Sequence, residues 1–141
     1  MKFLIIVMMV VCFNIVSVAQ QSISDRINAL IPILITVESN GREKVVGDSG
    51  KAKGILQLHA VYVDDVNRIY KTSFKHDDAF DRNKAIIITR LYLTHYGKHY
   101  ERKTGNIATF EVLSRIHNGG PTGYLKKSTD GYWNKIKPLI Q

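Results

Sequence analysis

Ile23, Ile27, Leu30, Leu34 and Val37 recur at spacings of three and four and run directly into Glu38. Apolar residues at that spacing share one face of a helix, so this segment has to pack its stripe against other elements. Ser22, Ile23, Ser24 and Asp25 supply a helix start, and Asn40-Gly41 supplies the stop. The pattern therefore predicts a buried helix that ends on a carboxylate. Pro32 falls inside it and predicts a kink, or a split into two short helices.

A loop over 41–54 follows, charged and carrying Gly41, Gly47, Gly50 and Gly54, with room for a small β-hairpin. A second helix is expected over Ala60 to Tyr70, with Tyr62, Val63, Val66, Ile69 and Tyr70 as its apolar side. The stretch SFKHDDAFDRN is polar and turn-like. Asp81 or Asn83 caps a third helix that carries Ala85, Ile88, Leu91, Tyr92 and Tyr96, with Gly97 as its stop. Thr109 opens a fourth, with Phe110, Leu113 and Ile116, ended by Asn118-Gly119-Gly120-Pro121. A last short helix over about 131–140 carries Tyr132, Trp133 and Ile136. Alternating strands, repeats and low-complexity segments do not occur, so the expected fold class is mainly α.

Residues 1–19 stand apart. Lys2, an apolar run from Phe3 to Phe13 and the small residues of Ser17-Val18-Ala19 have the layout of a secretory signal peptide. An uncleaved anchor is the alternative, because Ile15 and Val16 lengthen the run. The expected organisation is thus a signal peptide over 1–19 and one domain over 20–141, exported to a periplasm or the extracellular space. The only cysteine is Cys12, inside the leader, so the domain must hold itself by core packing alone, which a chain of 141 residues is long enough to do. The formal net charge of +8 favours polyanionic partners: anionic lipid, the acidic polymers of an envelope, or nucleic acid, of which export disfavours the last.

Four motifs occur in order. Glu38-Ser39 ends the first helix, GILQ covers Gly54 to Gln57, RIHNGG covers Arg115 to Gly120 and GYWNKI covers Gly131 to Ile136. Together they resemble the lysozyme-like fold of soluble lytic transglycosylases and goose-type lysozymes, in which Glu-Ser, Gly-Leu-Met-Gln, Ala-Tyr-Asn-Ala-Gly and a Tyr-Val-x-Lys-Val helix follow one another. The resemblance spans about residues 27–140. His117 and Gly120 depart from it, and so does the compact loop before Gly54.

The resemblance implies a single lysozyme-like domain that cleaves the β-1,4 bond between N-acetylmuramic acid and N-acetylglucosamine in peptidoglycan. It makes Glu38 the general acid. Such a donor has to sit against apolar surroundings, which favour the neutral carboxyl; Ile33, Leu34, Val37, Ile55 and Leu56 are the expected neighbours. Tyr132 corresponds to a family tyrosine whose hydroxyl orients the glutamate. Ser39, Gln57, His117 and Asn118 are carried over as residues that support the acid or bind sugar.

Two mechanisms remain open. An inverting hydrolase needs a second carboxylate, roughly 6.5–9.5 Å from the acid so that water fits between them. Asp48 in Gly47-Asp48-Ser49-Gly50 is the candidate, although an aspartate in such a turn often only bonds its own backbone. A lytic transglycosylase lets the sugar's own C6 hydroxyl attack and requires no second carboxylate. His59 stands where goose-type enzymes often carry a further aspartate, which favours the transglycosylase.

Two readings from other classes are a non-catalytic glycan-binding module of the same fold and a cationic membrane-active protein. Glycan strands are the expected partner of a monomer, and an envelope-spanning machine is a second. The residues require no cofactor. The five histidines form no His-Glu-x-x-His, and Asp77, Asp78 and Asp81 lack calcium-loop spacing, so no metal is expected.

Overall fold

The computed structural model describes residues 21–140. The expected leader lies outside the described residues. Among the described residues five α-helices carry the fold: α1 (Ile23–Ser39), α2 (Ala60–Tyr70), α3 (Arg82–Thr104), α4 (Phe110–Gly119) and α5 (Asp130–Ile136). A two-stranded antiparallel sheet, β1 (Val46–Gly47) and β2 (Ala52–Lys53), sits between α1 and α2 with Val46 opposite Lys53. Short 3₁₀ turns fill much of the remaining chain. The class is mainly α with a small hairpin, as the periodicity predicts. Among the described residues no helix is long and apolar enough to cross a membrane.

Helix α1 is the axis of the core. A reciprocal cap starts it: the Ser22 hydroxyl accepts from the Asp25 amide while the Asp25 carboxylate accepts from Ser22. Ile27, Leu30, Ile31, Leu34 and Ile35 then bury one face against α3, α4 and α5. They meet Ile55, Leu56, Leu58, Val63, Ile88, Leu93, Leu113, Ile116 and Ile136 in one cluster. Each such side chain contributes about 1.5–3 kcal/mol on burial. The helix runs unbroken through Pro32 and is not split into two. Pro32 and Asn28 both lie on the exposed face, so the carbonyl that loses its partner four residues back is on the solvent side.

The second departure concerns α3. Gly97 does not stop it; the helix continues to Thr104 and is capped at Gly105. Gly97 is buried at a close crossing, where an added methyl would lie 2.7 Å from Ile23 Cδ1 and 2.9 Å from Leu113 Cδ2. The residue serves packing rather than termination. The turn beyond it is anchored from α1: the Arg26 guanidinium donates to Glu101 at 2.6 Å, and Glu101 also accepts the Ala108 amide at 3.0 Å.

Candidate active site

Glu38 lies in the last turn of α1, which Asn40 ends by turning left-handed while its amide still reaches the Thr36 carbonyl. One helical step on, Ser39 points the other way, into the core. It is 2% exposed, and its hydroxyl lies 2.9 Å from the Ile55 carbonyl and 3.3 Å from that of Ile35. Ser39 is therefore a clip between α1 and the segment after the hairpin. It sits behind the groove wall, not on it, which corrects its place among the sugar-binding residues.

The clip brings the hairpin beside Glu38. Asp48 and Ser49 both adopt positive φ at its tip, and the Asp48 carboxylate faces the His59 ring, with Oδ2 3.2 Å from Nε2. Gln57 closes the base of the hairpin: its amide nitrogen donates to the carbonyls of Gly54 at 2.9 Å and Val45 at 3.2 Å. Its carbonyl oxygen lies against Gly47, where an added methyl would stand 2.2 Å from it.

Glu38, Asp48, Gln57, His59, His117 and Asn118 line one groove of about 850 Å³, a size usual for a ligand cleft. Glu38 itself is 17% exposed in its side chain. The Tyr132 hydroxyl, brought from α5, donates to Glu38 Oε1 at 2.7 Å. Burial first, and then the charge and the bond of Glu38, push the Tyr132 phenol far above its ordinary range. Asn118 is exposed at the end of α4. His117 is instead buried, with Nε2 3.4 Å from Glu38 Oε1 and Nδ1 3.1 Å from the Tyr62 hydroxyl.

The groove also holds residues that sequence reasoning placed in the core or left unassigned. Tyr62, Tyr92 and Tyr96 line it together with Asp65. Tyr62 and Tyr92 stack at 3.6 Å between ring centroids. Asp65 accepts from the Tyr96 hydroxyl and pairs with Arg68. Partial burial works against the Asp65 charge, but the bonds from Tyr96 and Arg68 together outweigh it and hold the carboxyl below the usual aspartate value. Burial and the bond to Asp65 push the Tyr96 phenol up to about 12. The available signal was Tyr62 and Asp65 three apart on α2, with Tyr92 and Tyr96 four apart on α3: polar-tipped residues on one face of each helix. Among the described residues, no three His, Cys, Asp or Glu side chains gather as a metal would require.

The chain is similar in sequence and fold to known proteins. No family model matches the chain. A lysozyme of Ostrea edulis is 37% identical over 84 residues, 60% of this chain and 57% of that one. Invertebrate-type lysozyme 3 of Caenorhabditis elegans is 31% identical over 88 residues, 60% of this chain and 63% of its own. The chain thus spans less than two thirds of the length of either relative. A chain in the crystal structure of Aeromonas hydrophila PliI in complex with Meretrix lusoria lysozyme superimposes with a TM-score of 0.64 at 28% identity, covering 79% of this chain and 88% of that one. The fold is lysozyme-like. These relatives are lysozymes, one named as invertebrate-type, rather than the lytic transglycosylases and goose-type enzymes that the motifs resemble.

Proposed function

We propose that the chain is an exported muramidase that hydrolyses the β-1,4 bond between N-acetylmuramic acid and N-acetylglucosamine. The observation that carries the proposal is Glu38: a largely shielded carboxyl on the wall of a ligand-sized groove, with a phenol donating to one oxygen. In this reading the Glu38 carboxyl gives its proton to the glycosidic oxygen as the bond from that oxygen to the sugar's C1 breaks. Tyr132 orients the carboxyl. Water then bonds to C1, loses its proton to a carboxylate, and leaves a free reducing end.

Asp48 is the second carboxylate that hydrolysis needs, since it lines the same groove as Glu38. Its side chain faces His59. That placement, together with relatives named lysozymes, moves preference from the transglycosylase toward the hydrolytic alternative. Asn118 and Gln57, both on the groove, are the sugar contacts in this reading. An envelope-spanning machine is not part of it.

Digestion of purified peptidoglycan with mass analysis of the released ends tests the proposal. Reducing ends are expected, together with losses of about 10²–10⁴-fold for Glu38→Gln and about two orders of magnitude for Asp48→Asn. Anhydro ends, lighter by one water, with an active Asp48→Asn variant would establish the transglycosylase instead. Full turnover by a folded Glu38→Gln protein would overturn the site.

A further inference from the structure

Four helices deliver one side chain each to a single contact chain: Tyr62 from α2, His117 from α4, Glu38 from α1 and Tyr132 from α5. We infer that His117, fixed by Tyr62, is a positioning residue for Glu38: it holds Oε1 as a pure acceptor and leaves Oε2 as the oxygen that carries the transferred proton. The inference rests on Glu38 being the proton donor of the proposed reaction.

Tyr62 is the fixed end of this contact chain. Its ring stacks on Tyr92 at 3.6 Å and an interplanar angle of 17°, which fixes where the hydroxyl points. Burial, reinforced by Tyr92, raises the phenol well above its ordinary value, so the hydroxyl keeps its proton at any working pH. That hydroxyl lies 3.1 Å from His117 Nδ1. A phenol that donates to a ring nitrogen requires that nitrogen to be bare. In a neutral imidazole the proton is then on the other nitrogen. With the Tyr62 hydroxyl assigned as the donor, the hydrogen is on Nε2, the atom that faces Glu38 Oε1.

Oε1 thereby has one donor bonded to it and a second beside it. A carboxyl oxygen has two in-plane lone pairs. The Tyr132 hydroxyl takes one at 2.7 Å, and His117 Nε2 stands 3.4 Å from the same oxygen, near enough for an ion pair but outside hydrogen-bond geometry. The second contact is long and poorly aligned, as catalytic hydrogen bonds often are before substrate tightens them. A proton on Oε1 would be set against both donors, whereas Oε2 has neither. The acid proton is therefore sorted to one oxygen before the sugar arrives. The His117 side chain is 3% exposed and both its nitrogens face protein groups, which leaves it nothing to offer a sugar hydroxyl.

The test uses the full chain with soluble glycan fragments of peptidoglycan, and separates kcat from KM. Removing the donor in His117→Leu is expected to lower kcat about ten- to a hundred-fold, since small misplacements of a reacting group cost that much, with KM nearly unchanged. His117→Gln, which keeps an N–H of similar reach, should restore most of that loss. Tyr62→Phe keeps the stack and removes only the hydroxyl. It should lower kcat several-fold and, in ¹⁵N NMR spectra of the histidine ring, turn a single Nε2–H tautomer into a mixture.

A raised KM with unchanged kcat in His117→Leu would make the residue a sugar contact and overturn the inference. So would a wild-type spectrum with the proton on Nδ1. Should His117→Leu fail to fold, Tyr62→Phe and the spectrum decide. Glu38→Gln is the control that tells the two readings apart. If it retains full activity, the glycosidase assignment falls. If it is inactive while His117→Leu and Tyr62→Phe turn over normally, only the present inference falls.

Discussion

Two alanine substitutions in the hairpin region separate backbone strain from collision, and the structure fixes their order. Gly54 and Gly50 both have positive φ, at +75° and +94°. Placing a side chain in that region costs about 1–2 kcal/mol for either residue. At Gly50 nothing lies within 4 Å of the added methyl, so the strain is the whole cost. At Gly54 the methyl would lie 1.7 Å from the Ala79 carbonyl oxygen and 2.6 Å from its carbon. Both are backbone atoms of the 76–80 turn, packed under β2, and they have no rotamer by which to move aside. The Gly54 amide is also committed, donating to Val45 at 2.8 Å. Relief means prising the hairpin from the turn, which takes the cost of Gly54→Ala beyond about 4 kcal/mol. That is comparable with the whole stability of a small domain, about 5–15 kcal/mol. Urea unfolding followed by circular dichroism measures both. Gly50→Ala should remain cooperative and lose about 1–2 kcal/mol, whereas Gly54→Ala should be largely unfolded or should lose its near-ultraviolet signal. Equal unfolding midpoints for the two would refute the claimed contact between β2 and the turn.

Three further outcomes follow from single contacts. Tyr132→Phe removes the 2.7 Å bond to Glu38 and should lower kcat about ten-fold or more with little change in melting temperature; a collapse in Tm with activity per folded molecule intact would make Tyr132 a packing residue. Ser39→Ala leaves the buried Ile55 carbonyl without its partner and should cost about 1–3 kcal/mol with KM unchanged; a rise in KM at constant stability would return Ser39 to the groove. Tyr96→Phe acts through Asp65, whose folded-state pKa is depressed, so the stability it contributes is complete above the unfolded value of 3.8 and is lost as pH falls through the folded one. The melting-temperature gap between Tyr96→Phe and the parent should therefore be full near about pH 6 and narrow on acidification below about pH 4; a gap that widens there would reverse the assigned sign.

Local rules carried the helices a long way. Helix α2 begins and ends where the sequence places it, and Asp81 caps α3 through the Lys84 amide. Thr109 caps α4 in the same manner. These features are set within three or four residues, and periodicity and caps read over that distance. Gly97 shows the limit. A glycine near the end of an apolar run has the composition of a stop, and only Ile23 and Leu113, distant in sequence, reveal that it makes room for a crossing. Pro32 fails for the related reason that its cost depends on which face of α1 meets solvent.

The site divides along the same line. Glu38, Asp48, Gln57 and Asn118 stand out because a polar residue interrupts an apolar or glycine-rich context, and the fold does put all of them on one groove. Ser39 has the same local signature as its neighbour Glu38, yet one step of helix, about 100°, turns it from the groove into the core. Tyr62 was legible only as an apolar position, because a phenol and a phenylalanine satisfy the same helical period. Its hydroxyl gains meaning from a histidine fifty-five residues away and a carboxylate on a third helix. Periodicity reports which face of a helix is buried, not what a buried polar atom meets there. An unpaired polar atom in a core costs about 1–3 kcal/mol, so a tyrosine predicted inside implies a partner that the sequence does not name. For Tyr62 that partner is His117, and through it the acid.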